Sequence, residues 1–134
     1  QSGMDVVMAS EPASSGVAHA SAALESLPIF DRQAALVRMG GDEDLLMIIV
    51  DSVLDDLVSL IVELEDAMEA NDLETARRHA HSIKGACANV SAEALRETAW
   101  QMEQAAKQGD VATLRHLLPQ LQAEDERFRA QVGR

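Results

Sequence analysis

Along most of the chain, apolar residues recur every three or four positions, and short breaks carrying Gly, Asn or Asp separate these stretches. Such spacing places apolar side chains on one side of an α-helix, so it predicts five helical segments after residue 30. They are expected from Asp31 to Arg38, from Asp42 to about Ala70, from Leu73 to about Asn89, from Ser91 to just before Gly109, and from Asp110 onwards. No segment shows the strict alternation that is typical of a half-buried strand.

The helix starts carry side chains that can cap free backbone N–H groups. The predicted N-cap residues are Asp31, Asp42, Ser91 and Asp110. Four long amphipathic helices joined by short loops predict an all-α fold, an antiparallel four-helix bundle with a short additional N-terminal helix. On the last helix Asp125 interrupts the apolar stripe before Phe128, so we expect this end to fray or to leave the core.

The N-terminal part of the chain differs in composition from the rest. It is rich in Ala, Ser, Gly and Pro, and Gln1-Ser2-Gly3 before Met4 resembles the remainder of an expression tag. We therefore interpret residues 1–26 as tag residues and a flexible linker, and residues 27–132 as one folded domain. The stretch from His19 to Leu27 could form a short helix. The linker indicates that the domain is tethered at its N-terminus to a longer polypeptide.

Composition and charge limit the possible partners. The 134 residues carry a formal charge of −12 and only 2% aromatic residues. The negative charge opposes binding to nucleic acids and anionic lipid surfaces. The single cysteine, Cys87, cannot form an internal disulfide and favours a reducing compartment. No apolar run is long enough to span a bilayer, so we expect no direct membrane insertion. We also expect the domain to be monomeric. Its expected location is the cytoplasm, either on its own or as the cytoplasmic tail of a membrane-bound protein.

The third predicted helix carries the residues with the clearest chemical potential. At about 100° per residue, His81 lies more than a right angle from the apolar stripe of this helix and is expected on its exposed flank. Lys84 and Gly85 follow one helical turn later. A glycine costs roughly 1 kcal/mol relative to alanine inside a helix, so Gly85 indicates a need for open space or backbone access. An imidazole nucleophile, a lysine and a missing side chain together suit a phosphoryl acceptor.

Basic and small residues surround this histidine on the helix surface. Arg77 and Arg78 lie one turn before His81 and form, with Lys84, a small basic island on an acidic protein. Ala88 lies two turns after the histidine, and its short side chain leaves this side of the helix surface open. The partner-binding residues that we predict are Arg77, Arg78, Ser82, Gly85 and Ala88.

The run Ala80-His81-Ser82-Ile83-Lys84-Gly85, continued by residues 86–92, resembles the signature of histidine-containing phosphotransfer (HPt) domains. The resemblance covers about residues 28–132 and includes the turns at Gly41-Asp42 and Gly109-Asp110. It implies that His81 carries a phosphoryl group, that Lys84 helps to hold this group, and that Gly85 leaves space for the partner's active site. Ala86 stands where many members have serine.

The same resemblance implies the partners. The phosphoryl group would come from the aspartyl phosphate of a response regulator receiver domain and would pass to another response regulator. The receiver would bring Mg²⁺, and this chain would bind no cofactor. The sequence contains no nucleotide-binding loop, so we expect a phosphotransfer intermediate without kinase activity of its own. A hybrid sensor histidine kinase in the same polypeptide is a candidate donor.

Two alternatives remain open. The chain could be the phosphoacceptor domain of a chemotaxis-type histidine kinase, which has a similar His-x-x-Lys-Gly pattern and receives phosphate from an ATP-dependent kinase domain. It could also be a helical interaction module that is never phosphorylated. The sequence does not indicate which group orients the ring of His81.

Overall fold

The structure, a computed structural model, describes residues 27–133, so the predicted linker lies outside the described part. Within it the helices are α1 (Arg32–Arg38), α2 (Glu43–Glu69), α3 (Leu73–Asn89), α4 (Glu93–Gln108) and α5 (Val111–Gln131), and no residue in this range is in a strand. Helix α3 packs most extensively against α4, and further contacts join α2 to α3, α4 to α5 and α2 to α5. Short turns connect the four long helices. The predicted four-helix bundle with a short N-terminal helix is confirmed.

Aspartate side chains begin four of the described helices. Each accepts a hydrogen bond from a backbone N–H three residues later, at distances of 3.0 to 3.2 Å. These N-caps are Asp31, Asp42, Asp72 and Asp110. Such caps satisfy donors that the first helical turn leaves unpaired, and the local sequence therefore determines where these helices start.

The prediction that Ser91 caps α4 is wrong. The N-cap residue is Ala92, which makes no side-chain cap. Ser91 has a φ of 57°, in the left-handed region, and lies fully buried in the turn between α3 and α4. Its carbonyl accepts a hydrogen bond of 2.9 Å from the backbone N–H of Asp31. Ser91 thus closes the turn and fixes the segment that precedes α1, instead of starting α4.

The core is built from aliphatic side chains and many alanines. On α3 and α4 the core residues without exposed surface include Ala76, Ala80, Ala99 and Met102. Because alanine side chains are short, they allow the backbones of two packed helices to approach closely. The close contact of α3 with α4 places the surface of one helix within reach of side chains from the other.

The expected fraying at the end of α5 does not occur. Phe128 is fully buried, and its ring lies against Phe30 with 5.5 Å between the ring centroids. Asp125 accepts a hydrogen bond of 3.1 Å from Arg129, whose guanidinium also donates to the carbonyl of Leu54 at 2.9 Å. The arginine therefore balances the carboxylate at the edge of the core and attaches this end of α5 to α2.

A buried carboxylate lies between α4 and α5. Glu124 is almost fully buried, and its Oε2 accepts a hydrogen bond of 3.4 Å from Gln120, whose amide also donates to Thr98 at 3.2 Å. Burial raises the pKa of the Glu124 carboxyl, and its hydrogen bonds with Thr98 and Gln120 offset this only in part. The charged form of Glu124 is therefore a cost to folding at neutral pH.

Replacing Glu124 by glutamine should stabilise the protein at neutral pH. A raised pKa means that the folded chain binds the proton more tightly than the unfolded chain. The stability that this group contributes to the protein is therefore lost as the pH rises through its folded pKa. We expect Glu124→Gln to raise the free energy of unfolding by on the order of 1 kcal/mol at pH 7. The gain should shrink towards about pH 4, the ordinary range of a glutamate.

Urea unfolding at several pH values measures this difference. Glu126→Gln, at an exposed position of the same helix, is the matched control and should change little. A Glu124→Gln protein that is less stable than the wild type at neutral pH would contradict this account of the buried carboxylate.

Candidate functional site

His81 lies on α3 with its side chain 62% exposed, as its angle from the apolar stripe predicts. Ala80 and Ile83, which lie close to His81 on the same helix, are fully buried in the core. The helix therefore holds the imidazole at the surface on a rigid, well-packed element. A large reactant can approach the ring without any rearrangement of the bundle.

A carboxylate on the neighbouring helix contacts the two predicted site residues. Glu103 of α4 has only 4% of its side chain exposed, its Oε2 lies 3.0 Å from Nδ1 of His81, and its Oε1 lies 2.9 Å from Nζ of Lys84. His81 and Lys84 are three residues apart, so they lie on the same side of α3 and reach the same residue of α4. Glu103 is thus the group that orients the ring of His81.

Sequence reasoning missed Glu103, although a signal was present. The residue follows Ala99 by four positions and precedes Ala106 by three, and both alanines belong to the apolar stripe of α4. A glutamate at the edge of an apolar stripe requires donors nearby, because a buried carboxylate without partners is costly. The two site residues on α3 provide these donors.

The charge state of Glu103 follows from its surroundings. Burial tends to raise the pKa of the carboxyl, but hydrogen bonds from Lys84 and His81 outweigh burial and lower the pKa below its ordinary value. Glu103 is therefore ionised at neutral pH, and a carboxylate only accepts hydrogen bonds. Nδ1 of His81 must then carry a hydrogen, which leaves the lone pair of the neutral ring on Nε2.

Gly85 leaves open space beside the histidine. A Cβ atom added at this position would meet no heavy atom within 4 Å. Packing inside the chain therefore gives no reason for a glycine here, and the space lies on the outside of α3. Ser82 is exposed and Ala88 is partly exposed, so the predicted partner-binding positions that follow His81 are all accessible.

The basic island is weaker than the sequence suggests. Arg77 is paired with Glu74, with Nη2 2.6 Å from Oε2 and Nε 3.1 Å from Oε1. Lys84 is paired with Glu103, whereas Arg78 is exposed and donates to the hydroxyl of Thr75 at 3.1 Å. Two of the three cations thus have a carboxylate neighbour, so the positive potential around His81 is modest.

The other histidine of α3, His79, contacts a different helix. Nε2 of His79 lies 3.6 Å from Glu63 on α2, so His79 and His81 contact different neighbouring helices. Within residues 27–133, no three His, Cys, Asp or Glu side chains are grouped so that they could hold a metal ion. Over the same residues, no helix has the length and hydrophobicity needed to cross a membrane.

Comparison with known proteins identifies the family. The family model of the Hpt domain matches residues 48–131, more than half of the chain. The chain therefore belongs to the Hpt domain family, as the run around His81 indicated.

Two proteins illustrate this relationship. The chain is 27% identical over 97 residues to the phosphorelay intermediate protein rdeA of Dictyostelium discoideum; the match covers 72% of this chain but 38% of that protein. The fold is similar to the crystal structure of histidine-containing phosphotransfer protein B from Pseudomonas aeruginosa PAO1. This structural match has a TM-score of 0.73 and 25% identity, and it covers 79% of this chain and 92% of the solved chain.

Substituting Glu103 should weaken the protein in a pH-dependent way. A carboxyl with a lowered pKa adds stability above its unfolded pKa, and this contribution is lost as the pH falls through the folded value. Glu103→Gln removes the charge of the side chain but keeps its shape. We expect this substitution to lower the free energy of unfolding by about 1–2 kcal/mol at pH 7, the range of hydrogen bonds to charged groups. The difference from the wild type should narrow below about pH 4.

Denaturant unfolding from neutral to acid pH measures this dependence. Glu97→Gln on the same helix, which is not part of the site, provides the matched control. A cost for Glu103→Gln that stays constant over the whole pH range would show that the charge of Glu103 contributes nothing to stability.

Proposed function

We propose that this domain is a histidine phosphotransfer module in which Nε2 of His81 accepts a phosphoryl group from the aspartyl phosphate of a receiver domain and passes it to another response regulator. The observation that carries the proposal is the exposed imidazole whose Nδ1 is held by the buried carboxylate of Glu103. Membership of the Hpt domain family supports it. The match to rdeA, which its name describes as a phosphorelay intermediate, supports it as well.

The proposed transfer step is an in-line displacement at phosphorus. The lone pair on Nε2 attacks phosphorus, the bond between phosphorus and the aspartyl oxygen breaks, and the receiver's aspartate leaves as a carboxylate with the electron pair. The imidazole becomes positively charged when the new N–P bond forms. Glu103 stabilises this charge through Nδ1, because the two groups already lie 3.0 Å apart.

Lys84 offers charge compensation for the incoming group. An ammonium has three hydrogen atoms to donate, so Lys84 can keep its contact with Glu103 and donate to a phosphoryl oxygen. Its side chain is partly buried and held at 2.9 Å from Oε1, which limits the number of positions that it samples. A donor held near the reacting atoms loses little entropy when the phosphoryl group arrives.

The receiver contributes the remaining groups in this proposal. We expect it to supply Mg²⁺ together with the phosphorylated aspartate, because the carboxylate at this site, Glu103, already accepts from two donors. The open surface at Gly85 suits the approach of another protein's active site. We further propose that the domain is monomeric and cytoplasmic, with a hybrid sensor kinase in the same polypeptide as a candidate donor.

Transfer from a phosphorylated receiver domain tests the proposal directly. The purified chain should gain an acid-labile, alkali-stable label, and His81→Gln should abolish it. His79→Gln and His116→Gln are matched controls and should keep the label, because neither histidine contacts Glu103. A label that persists in His81→Gln would refute the assignment of the acceptor.

A second donor distinguishes the alternatives. If a chemotaxis-type kinase domain with ATP labels His81 and no phosphorylated receiver does, the chain is a kinase phosphoacceptor domain. If neither donor labels it, the domain is an interaction module and the proposal of phosphotransfer is wrong.

Substitutions of Gly85 test the proposed space for the partner. Gly85→Ala should stabilise the fold by up to roughly 1 kcal/mol, because alanine is the better helix former and its Cβ meets no neighbour. Gly85→Gln should keep the helical fold but largely abolish exchange with the receiver. A small phosphodonor should still label His81 in both variants. Exchange at the wild-type rate in Gly85→Gln would refute the need for open space.

A further inference from the structure

Within residues 27–133, Trp100 is the only large apolar residue that α3, α4 or α5 exposes. It is 43% exposed, whereas the other exposed large apolar residues of this range lie on α1 and α2. A single exposed apolar residue is ordinary on a protein surface. Tryptophan, however, is enriched among the residues that contribute most to binding between proteins. The position of Trp100 relative to the phosphotransfer site therefore decides whether it has a role there.

Trp100 lies on the side of α4 that is nearer to α3. At about 100° per residue, it is about 60° from Glu103, which contacts His81 of α3. It is about 160° from Thr98, whose hydroxyl accepts a hydrogen bond from Gln120 of α5. The exposed indole is thus next to the groove between α3 and α4, and it lies away from the contact of α4 with α5.

Along the bundle, Trp100 is level with small residues of α3. Helices α3 and α4 are antiparallel, and Glu103 is level with the stretch from His81 to Lys84 because it contacts both of these residues. Trp100 precedes Glu103 by three residues, about 4.5 Å along α4. The same distance along α3 runs in the opposite chain direction and ends near Gly85 and Ala88. A low surface made by these two small residues is therefore bordered by a half-exposed indole.

A second exposed residue, Lys107, lies on the same side of α4. It follows Glu103 by one turn, whereas Trp100 precedes Glu103 by one turn, and the three residues lie within about 60° around the helix. Of the 16 residues of α4, all of which the structure describes, only Trp100, Lys107 and Gln108 are exposed. We name Trp100 and Lys107 the α4 edge. The edge offers an indole and an ammonium group, so it is complementary to apolar and carboxylate side chains.

A partner protein that reaches Nε2 of His81 also covers the α4 edge. A specific interface buries about 800 Å² on each partner, which corresponds to a disc of roughly 16 Å in radius. Packed helices have axes about 8–10 Å apart. Both residues of the α4 edge lie within about two turns of His81 along the bundle, roughly 11 Å. An interface of ordinary size centred on His81 therefore includes them.

We propose that the receiver domain docks across the groove between α3 and α4, with Trp100 as its main apolar contact on α4 and Lys107 as a second contact. The receiver is the occupant because the α4 edge is continuous with the surface around His81 through Gly85 and Ala88. The inference therefore rests on the proposed phosphotransfer function. The α4 edge determines how tightly the receiver binds, and neither of its residues takes part in the transfer step itself.

Transfer kinetics separate binding from chemistry. The probe is a phosphorylated receiver domain that labels the wild-type chain, and the measured quantities are the maximal transfer rate and the receiver concentration that gives half of it. Trp100→Ala should raise this concentration about tenfold or more, while the maximal rate stays the same. Trp100→Phe should keep most of the affinity, because phenylalanine retains an aromatic contact. A small phosphodonor should label His81 equally in all three proteins.

Two further variants test the extent of the surface. Lys107→Glu is at an exposed position and should keep the fold, but it should raise the half-maximal receiver concentration, with an effect that shrinks as salt is added. Val58→Ala is the matched control. Val58 is 56% exposed on α2 and lies about 140° around that helix from Glu63, which contacts His79 of α3. It faces away from α3, so its substitution should leave transfer unchanged.

The fluorescence of Trp100 measures docking directly. Trp100 is the only tryptophan of the chain, so its emission can be followed in a complex with a receiver domain whose own tryptophans are replaced by phenylalanine. Burial of the half-exposed indole should shift the emission to shorter wavelength. The shift should saturate at a receiver concentration that Lys107→Glu raises and Val58→Ala does not. Because this measurement uses the unchanged indole, it decides the question even if Trp100→Ala does not fold.

Three results would overturn the docking proposal. These are an unchanged half-maximal concentration in both Trp100→Ala and Lys107→Glu, a loss of maximal rate in place of affinity, or a Trp100 emission that the receiver leaves unaltered. If a receiver labels the wild-type chain and one of these results is found, the docking proposal fails alone. If no receiver labels the wild-type chain, the phosphotransfer proposal fails and the docking proposal fails with it.

Discussion

The close contact between α3 and α4 is the constraint on which the site depends. This is the most extensive contact between two described helices, and both helices bury alanines without exposed surface, such as Ala80 and Ala99. Glu103 can therefore reach both His81 and Lys84 within 3.0 Å. Larger side chains in this interface would separate the helices, and hydrogen bonds weaken quickly beyond about 3.2 Å. Core packing thus determines the geometry at the surface.

Two buried carboxylates show how their partners decide their chemistry. Glu103 faces a lysine and an imidazole, and its pKa is lowered despite burial. Glu124 faces a hydroxyl and an amide, and burial raises its pKa. The first carboxylate is ionised at neutral pH and can fix the tautomer of His81 and compensate a positive ring. The second is held only by neutral groups, and the chemistry proposed for the domain makes no use of it.

Periodicity was sufficient to predict the helices and the exposure of His81, because both depend on residues close together in the sequence. The caps Asp42 and Asp110 were predictable for the same reason. Glu103 was missed because a stripe assigns a residue to a face but does not reveal which residue it meets on the next helix. The end of α5 was misjudged because Arg129 contacts Leu54, a residue far away in sequence. Ser91 was misassigned because its role depends on a left-handed backbone conformation.

The central claim is that Glu103 holds Nδ1 of His81 and leaves Nε2 as the nucleophile. Nitrogen-15 NMR of the histidine ring, before and after phosphorylation, tests it most directly. The account predicts that the neutral ring carries its hydrogen on Nδ1 and that the phosphoryl group is bonded to Nε2. In Glu103→Gln the preference for this tautomer should weaken. A hydrogen on Nε2 in the unmodified chain, or a phosphoryl group on Nδ1, would contradict the account.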